Sequence, residues 1–304
     1  MPIMKSTLLT ALTVIVAALA LACATGCGSD STPVNHAQTK VAFASGRASG
    51  DVNPDPYVMN RDGSSVTPLP YGAMPSRPRG TTVSPDDSKV LFEASHNSPT
   101  QVYTAALDGT AVTPLTTTGS NRVPRWSPDG KQIVFMSTRD GLSGWLIYVM
   151  NADGSSQAHL SPLDNTINDI FPSFSPNGKQ IVFTGWDATA FQYAIWTMNA
   201  DGSNRKSVIV PSATPVTPAF SPDGSKILWV ASGEIASVNL DGSGQTTITS
   251  SGGKILELMT LGTEVWFTTM QDGNPEVYKM SADGSGQKDM TNNPYGDSLY
   301  LNVP

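Results

Sequence analysis

The sequence has few of the residues that usually carry catalysis or bind metals. Only two cysteines occur in 304 residues, Cys23 and Cys27, so the chain beyond them has no thiol for a disulfide or a zinc site. The three histidines, His36, His96 and His159, are far apart in sequence. No G-x-S-x-G nucleophile motif and no phosphate-binding loop is present. These absences predict a protein that is not an enzyme and that holds no metal or cofactor.

Basic runs and helical periodicity are also missing. Charged residues make up 14% of the sequence and the formal net charge is -7, which argues against nucleic acid as a ligand. After residue 22, short apolar runs alternate with turns rich in glycine and proline, and no long stretch has helical spacing. With 39% hydrophobic residues the chain can bury a core. An all-β fold is therefore expected.

The N-terminal residues have the pattern of an export signal. Lys5 precedes an apolar run at Leu8–Ala22, which is short for a membrane span and is followed by small residues. We predict a lipoprotein-type signal peptide at residues 1–26, a flexible linker at 27–38 and a folded domain at 39–304.

The end of this signal, Ala24-Thr25-Gly26-Cys27-Gly28-Ser29, resembles the cleavage site of bacterial lipoproteins. The resemblance implies that Cys27 carries the lipid and becomes the mature N-terminus, with Cys23 as a second candidate. It also implies that the lipid anchor lies in the outer membrane, because Gly28 occupies the position where enterobacterial lipoproteins of the inner membrane have aspartate. The alternative is a secreted protein with an unmodified thiol. In both cases the protein is exported, and with the anchor it faces the periplasm or the cell surface.

A pattern of short strands and turns recurs six times along the folded domain. Its first element is a Ser-Pro-Asp-Gly or Ser-Pro-Asn-Gly turn before an apolar run, best seen at Ser127–Phe135 and Ser175–Phe183. Its second element is a turn of the Asn-Ala-Asp-Gly type. The aspartates of this second turn, called the turn aspartates below, are Asp62, Asp108, Asp153, Asp201, Asp241 and Asp283. Their spacings of 46, 45, 48, 40 and 42 residues are typical of β-propeller blades.

Each repeat predicts four strands, and the first turn joins strands one and two while the second joins strands three and four. In the third strand, the residues five and three positions before the turn aspartate share one face. These two columns predict the packing between blades. They are Tyr57, Tyr103, Tyr148, Trp196, Ala236 and Tyr278, and Met59, Ala105, Met150, Met198, Val238 and Met280.

The chain enters the first blade at its second strand, Val41–Phe43, so that blade lacks an inner strand of its own. A strand-like run, Ser298–Asn302, remains after the sixth blade. We predict that it pairs beside Val41–Phe43, which removes two open sheet edges and closes a six-bladed β-propeller.

The repeats resemble the TolB-type propeller repeat of bacterial envelope proteins over about residues 40–304, most clearly at Phe267–Gly286. TolB itself carries an α/β domain before its propeller, and residues 27–38 are too few to form one, so we expect that the resemblance does not transfer TolB's full role. Prolyl-oligopeptidase-type propellers append a hydrolase domain, which we also do not expect here. Oligogalacturonate lyases of this repeat type use a histidine-rich metal site, against which the few histidines argue.

Two groups of residues are candidate binding sites. The repeated turns share one face of the ring, the repeat-turn face, and the unlike loops share the other, the variable-loop face. On the variable-loop face, blade four carries Trp186, Asp187 and Phe191, which suit peptide or glycan contact or fold back on their own loop. Arg79 and Arg122 start neighbouring inner strands at the channel mouth. They suit a carboxylate ligand or pair with acids of adjacent blades.

Three functions fit these observations. The first is a non-enzymatic scaffold, anchored at the envelope, that binds an envelope protein or peptide through the variable-loop face and channel mouth. The second is an extracellular propeller that binds or degrades polysaccharide. The third is a structural accessory with no small ligand.

Overall fold

The computed structural model describes residues 38–47, 55–70, 72, 74, 76, 78–95, 99–249 and 252–299. The predicted signal peptide, Cys27, nearly all of the linker, His36 and His96 lie outside these residues. Within the described part, no helix is long and apolar enough to cross a membrane.

The described residues form six antiparallel sheets of four strands each, which are the blades of a six-bladed β-propeller. Blades one to three contain β1 Lys40–Ser45, β2 Asp55–Asn60, β3 Thr67–Pro68; β4 Arg79–Val83, β5 Lys89–Ala94, β6 Gln101–Ala106, β7 Thr113–Pro114; β8 Asn121–Trp126, β9 Gln132–Ser137, β10 Leu146–Asn151 and β11 Ala158–His159. Blades four to six contain β12 Asp169–Phe174, β13 Gln180–Asp187, β14 Gln192–Asn199, β15 Lys206–Ile209; β16 Val216–Phe220, β17 Lys226–Ala231, β18 Glu234–Asn239, β19 Thr246–Thr247; β20 Ile255–Leu261, β21 Glu264–Thr269, β22 Glu276–Met280 and β23 Lys288–Asp289. The last strand, β24 Asp297–Ser298, joins blade one. The all-β prediction is therefore confirmed.

The predicted closure by a C-terminal strand in blade one is confirmed. β24 pairs antiparallel with β1, and Ser298 lies opposite Ala44 while Asp297 lies opposite Ser45. The described part of this pairing lies at the end of β1, and residues 300–302 of the predicted strand lie outside the described residues. Asp297 also bonds Arg47 just beyond β1, at 2.6 Å. The next residue, Leu299, is buried in a cluster with Phe43 and Trp266.

The core lies between neighbouring blades, as the two residue columns predicted. The six residues three positions before the turn aspartates, from Met59 to Met280, are each at most 2% exposed. In four blades a second-strand phenylalanine packs against the third-strand tyrosine, with ring centroids 5.6–5.8 Å apart. Each blade buries its faces only against its two neighbours, so the blades stabilise one another.

The glycine of the second turn is required by contact between blades. Gly109 has φ of 78°, and a Cβ there would lie 1.9 Å from the carbonyl oxygen of Pro70 in the preceding blade. A larger residue therefore meets both backbone strain and a clash. The recurring Asp-Gly sequence sets the distance between blades as well as the turn.

Blade two departs from the Ser-Pro-Asp-Gly pattern for a structural reason. Asp87 occupies the glycine position with φ of 57°, which aspartate adopts more readily than most residues. Its carboxylate accepts hydrogen bonds from Thr39 N at 2.8 Å, Thr39 Oγ1 at 2.6 Å and Lys40 N at 3.3 Å. The irregular turn therefore holds the chain where it enters β1.

We expect Leu299→Ala to lower the free energy of unfolding by about 3 kcal/mol, since it opens a cavity beside Phe43 and loosens the closing strand. Chemical denaturation measures the change. Leu163→Ala is the control, because Leu163 is 57% exposed and its loss should change stability by less than about 0.5 kcal/mol. Equal stabilities of the two variants would contradict the role of Leu299 in closure.

Candidate functional site

The inner strands β4, β8, β12 and β16 share a distortion that shapes the channel. Their pairing with the second strands shifts register between Arg79 and Thr82, Arg122 and Arg125, Ile170 and Ser173, and Val216 and Ala219. Within these bulges Val123, Phe171 and Thr217 adopt φ of 52°, 55° and 46°. Positive φ is strained for branched and bulky residues, so packing must impose it. The bulge directs the residue that follows it towards the channel.

A cavity of about 260 Å³ lies at the channel mouth on the repeat-turn face. Prolines of four Ser-Pro turns line it: Pro85, Pro128, Pro176 and Pro222. Trp126, Phe174 and Met259 add apolar surface, while Thr82, Arg125 and Ser173 supply polar groups. Its size and mostly apolar lining suit one or two side chains of a bound segment rather than a large ligand.

Two hydrogen-bond donors beside the cavity have no partner among the described residues. They are the Thr82 hydroxyl Oγ1 and the Trp126 indole Nε1, and both atoms are buried. Nearly all buried polar groups in proteins are hydrogen-bonded, so these two donors are exceptions. Both residues line the cavity, but the two atoms have almost no exposed surface, so a ligand acceptor reaches them only if the wall shifts.

Arg125 lies where the cavity meets a narrower space of about 20 Å³ deeper in the channel. Burial lowers the pKa of Arg125 to about 9, and the charges of Glu257 and Glu93 oppose this shift. The guanidinium therefore remains a cation at neutral pH. Glu257 is itself buried and accepts a hydrogen bond from Thr268 Oγ1 at 2.8 Å. Burial raises the pKa of Glu257 well above its usual value, against the opposing effects of Thr268 and Arg125.

The sequence contained a signal for Arg125 that the turn-based analysis missed. Aligning the Ser-Pro turns places Arg125 at the position held by Thr82, Ser173 and Ala219 in the other inner strands. A single arginine among small residues at one repeat position marks an exception to the pattern. Only the bulge shows that this position faces the channel.

Arg79 and Arg122 lie at equivalent positions of neighbouring blades, but neither lines the cavity. Both are at the other end of the inner strands, towards the variable-loop face. Arg122 Nε lies 3.5 Å from Glu93 Oε1 of the adjacent blade, and Glu93 Oε2 accepts a hydrogen bond from Val123 N. Arg122 is therefore engaged by an acid, whereas the Arg79 side chain is exposed.

The predicted residues of blade four lie on one hairpin and have different surroundings. The Trp186 ring contacts Tyr193 of the same hairpin edge-on, with centroids 5.3 Å apart. Asp187 Oδ1 accepts hydrogen bonds from Thr189 N and Ala190 N. Phe191 is 80% exposed and has φ of 52°. Trp186 thus folds onto its own hairpin, and Phe191 is the free aromatic ring.

The described residues contain no group of three or more His, Cys, Asp or Glu side chains placed to hold a metal ion. His159 is exposed on the outer strand β11, where its Nδ1 lies 3.1 Å from the Ser161 carbonyl oxygen. It is an edge polar residue, as expected.

Comparisons with known proteins agree with the repeat analysis. Residues 28–213 match the TolB beta propeller domain. A 60-residue stretch is 47% identical to the Tol-Pal system protein TolB of Geobacter sulfurreducens, covering 20% of this chain and 13% of that protein. The crystal structure of TolB from Acinetobacter baumannii aligns with a TM-score of 0.66 and 19% identity, covering 83% of this chain and 63% of that one. The chain therefore spans less than two thirds of the length of these two TolB proteins.

The fold is shared beyond TolB. A structure of a nidogen–laminin complex aligns with a TM-score of 0.64 and 15% identity, covering 85% of this chain and 97% of that one. At such identities the similarity establishes the fold, and function must be argued from the site.

We expect Glu257→Gln to flatten the dependence of stability on pH. Because the folded-state pKa of Glu257 is raised, its contribution is fully present below the ordinary value of 4.5 and is lost as the pH rises through the raised value. Urea unfolding between about pH 5 and pH 8 should show a smaller loss of free energy in the variant than in the wild type.

Glu264→Gln is the control for that experiment. Burial of Glu264 is outweighed by Lys279 and Arg61, which lower its pKa, so its contribution is lost as the pH falls instead. The Glu264 variant should keep the wild-type slope above pH 5. A Glu257 variant with that same slope would refute the assignment.

Proposed function

Because the chain belongs to the TolB β-propeller domain family, we propose that it is a non-enzymatic scaffold of the bacterial cell envelope that binds a protein or peptide partner. A segment of the partner enters the cavity at the repeat-turn mouth of the channel. The observation that supports this site is the cavity at the channel mouth, whose wall is mostly apolar and includes Thr82, Arg125 and Ser173 as polar residues. An apolar side chain fills such a space while the adjoining peptide groups bond the polar residues of the wall.

The charge of the cavity agrees with a peptide ligand. Arg125 lies at the inner end, where its Nη1 donates a hydrogen bond to the Pro124 carbonyl at 3.1 Å, and its positive charge suits a peptide carbonyl or carboxylate in a protein of net charge -7. Glu93 partly balances this positive charge, so acceptor groups are favoured over a strongly anionic ligand. Arg79 remains a proposed contact at the opposite mouth of the channel.

We also propose that Cys27 carries a lipid that holds the protein at the outer membrane. Gln38 lines the cavity and precedes β1, so the chain reaches the propeller on the repeat-turn face. About ten residues separate Cys27 from Gln38, and a fully extended tether of that length spans roughly 35 Å. An anchored propeller therefore stays close to the membrane surface.

Filling the cavity should abolish partner binding. Ser173→Trp places an indole in the cavity, and Ser207→Trp, at an exposed site on β15, is the matched control. With a photo-crosslinking residue at position 260, which also lines the cavity, intact cells should yield a protein adduct. We expect Ser173→Trp to remove the adduct and Ser207→Trp to retain it.

Two results would redirect the assignment. An adduct that persists in a folded Ser173→Trp protein, as judged by its melting curve, would place the partner elsewhere. A glycan array on which the wild type binds a polysaccharide, and the Ser173 variant does not, would favour the polysaccharide function instead.

Cys27→Ala should release the protein from membranes, since acyl chains contribute about 0.8 kcal/mol for each buried CH₂. Fractionation and the intact mass of the mature N-terminus measure anchoring and lipidation. Cys23→Ala is the control and should remain membrane-bound. An unmodified wild-type N-terminus would exclude the anchor while leaving the cavity proposal intact.

A further inference from the structure

The exposed large hydrophobic side chains of the described residues lie on the variable-loop face. They are Leu163, Phe191, Val210, Leu256, Met270 and Tyr295, and each belongs to a loop or strand end on that face. Three of them surround blade four. We call Leu163, Phe191 and Val210 the blade-four patch. Its members are 57%, 80% and 37% exposed, so the patch is open to solvent.

Phe191 is the highest point of this patch. β13 and β14 pair as far as Asp187 opposite Gln192, whereas the inner strand β12 stops pairing at Gly185. The hairpin therefore continues for two more residue pairs and a four-residue turn. At about 3.3 Å per residue, its tip rises roughly 10 Å above the level where the neighbouring connections join the sheet. Leu163 lies in the connection before β12, and Val210 directly follows β15.

The hairpin that presents Phe191 is well supported. Asp187 caps the turn through Thr189 N and Ala190 N, at 2.9 and 3.0 Å. Below it, Trp186 packs on Tyr193, whose hydroxyl accepts a hydrogen bond from Asn168 Nδ2 at 2.5 Å. An aromatic ring on an ordered support loses little conformational entropy on binding, which is a property of interface hot spots.

The charge around the patch is negative. Asp164 follows Leu163, and hydrogen bonds from Thr166 lower its pKa, so it is ionised at neutral pH. Asp187 adds a carboxylate at the hairpin. The nearby Arg205 is occupied by a bidentate ion pair with Asp169 at 2.7 and 3.0 Å, and it lies over the Trp196 ring. Carboxylates next to exposed apolar side chains are repelled by anionic lipid and complement a basic protein surface.

We propose that the blade-four patch docks a protein whose surface offers an apolar pocket for the Phe191 ring, bordered by lysine or arginine. The patch is on the face opposite the cavity, so it is a second contact surface. A propeller with both surfaces occupied holds two partners on opposite sides, or two parts of one long partner. This inference does not depend on the cavity being a binding site.

The test places a photo-crosslinking phenylalanine derivative at position 191 of the full chain in the native cells. The matched control carries it at Tyr295, which is 56% exposed on the same face at blade six. We expect one protein adduct at 191 and none at 295. With that protein purified, Phe191→Ala should weaken binding at least tenfold and Tyr295→Ala should leave it unchanged.

Two further variants, measured with the same partner protein, test the role of the negative charge and the independence of the blade-four patch from the cavity. Asp164→Asn keeps the turn acceptor but removes the charge, so it should weaken binding and reduce its dependence on salt. Ser173→Trp should retain the adduct at 191, which separates failure of the cavity from failure of the patch. An adduct with lipid, an adduct with a second copy of this chain, no adduct, or affinity unchanged by Phe191→Ala would each overturn the proposal.

Discussion

The structure depends on the completion of blade one by the two ends of the chain. Each blade buries its faces only against its neighbours, so an incomplete blade would expose the core on both of its sides. Within the described residues, the closing contact consists of two residues of β24 that pair with β1. It is reinforced by the buried Asp297, which bonds an Arg47 guanidinium that lies over the Phe43 and Tyr57 rings, and by Leu299 in the core. The clamp from Asp87 on Thr39 and Lys40 holds the other end of β1, so the seam is secured at both ends by residues that depart from the repeat.

Most of the fold was readable from the sequence because its determinants are local. Turn residues such as Asp129 and Gly130 bond their own neighbours. The alternation around Tyr148 and Met150 specifies a buried face even when the blade that packs against it is not known.

The candidate site was harder to predict. Arg125 reaches the channel only because β8 shifts register after Arg122, and a bulge breaks the two-residue alternation on which such predictions rest. The partner of Arg122, Glu93, comes from another blade, and spacing within one repeat carries no information about it.

The two faces of the propeller differ in how far they follow the sequence repeat. The repeat-turn face is made of similar turns, and its cavity arises where four prolines converge on a channel mouth, so its shape follows from the repetition itself. The variable-loop face carries what differs between blades, and the tall hairpin of blade four is its largest departure. The structural similarity to TolB and to a nidogen–laminin complex shows that different proteins share this fold. The specific contacts must therefore come from such local differences.

The way β1 enters the ring also determines how the protein responds to a mechanical load. A pull on Gln38 acts along the axis of β1, which lies between β2 and β24. Six residue pairs with β2, from Lys40 opposite Asn60 to Ser45 opposite Asp55, then bear the force in shear and must yield together. A strand peeled from its free edge would lose its bonds one after another at much lower force. Force applied through this terminus is thus borne by the β1–β2 pairs together.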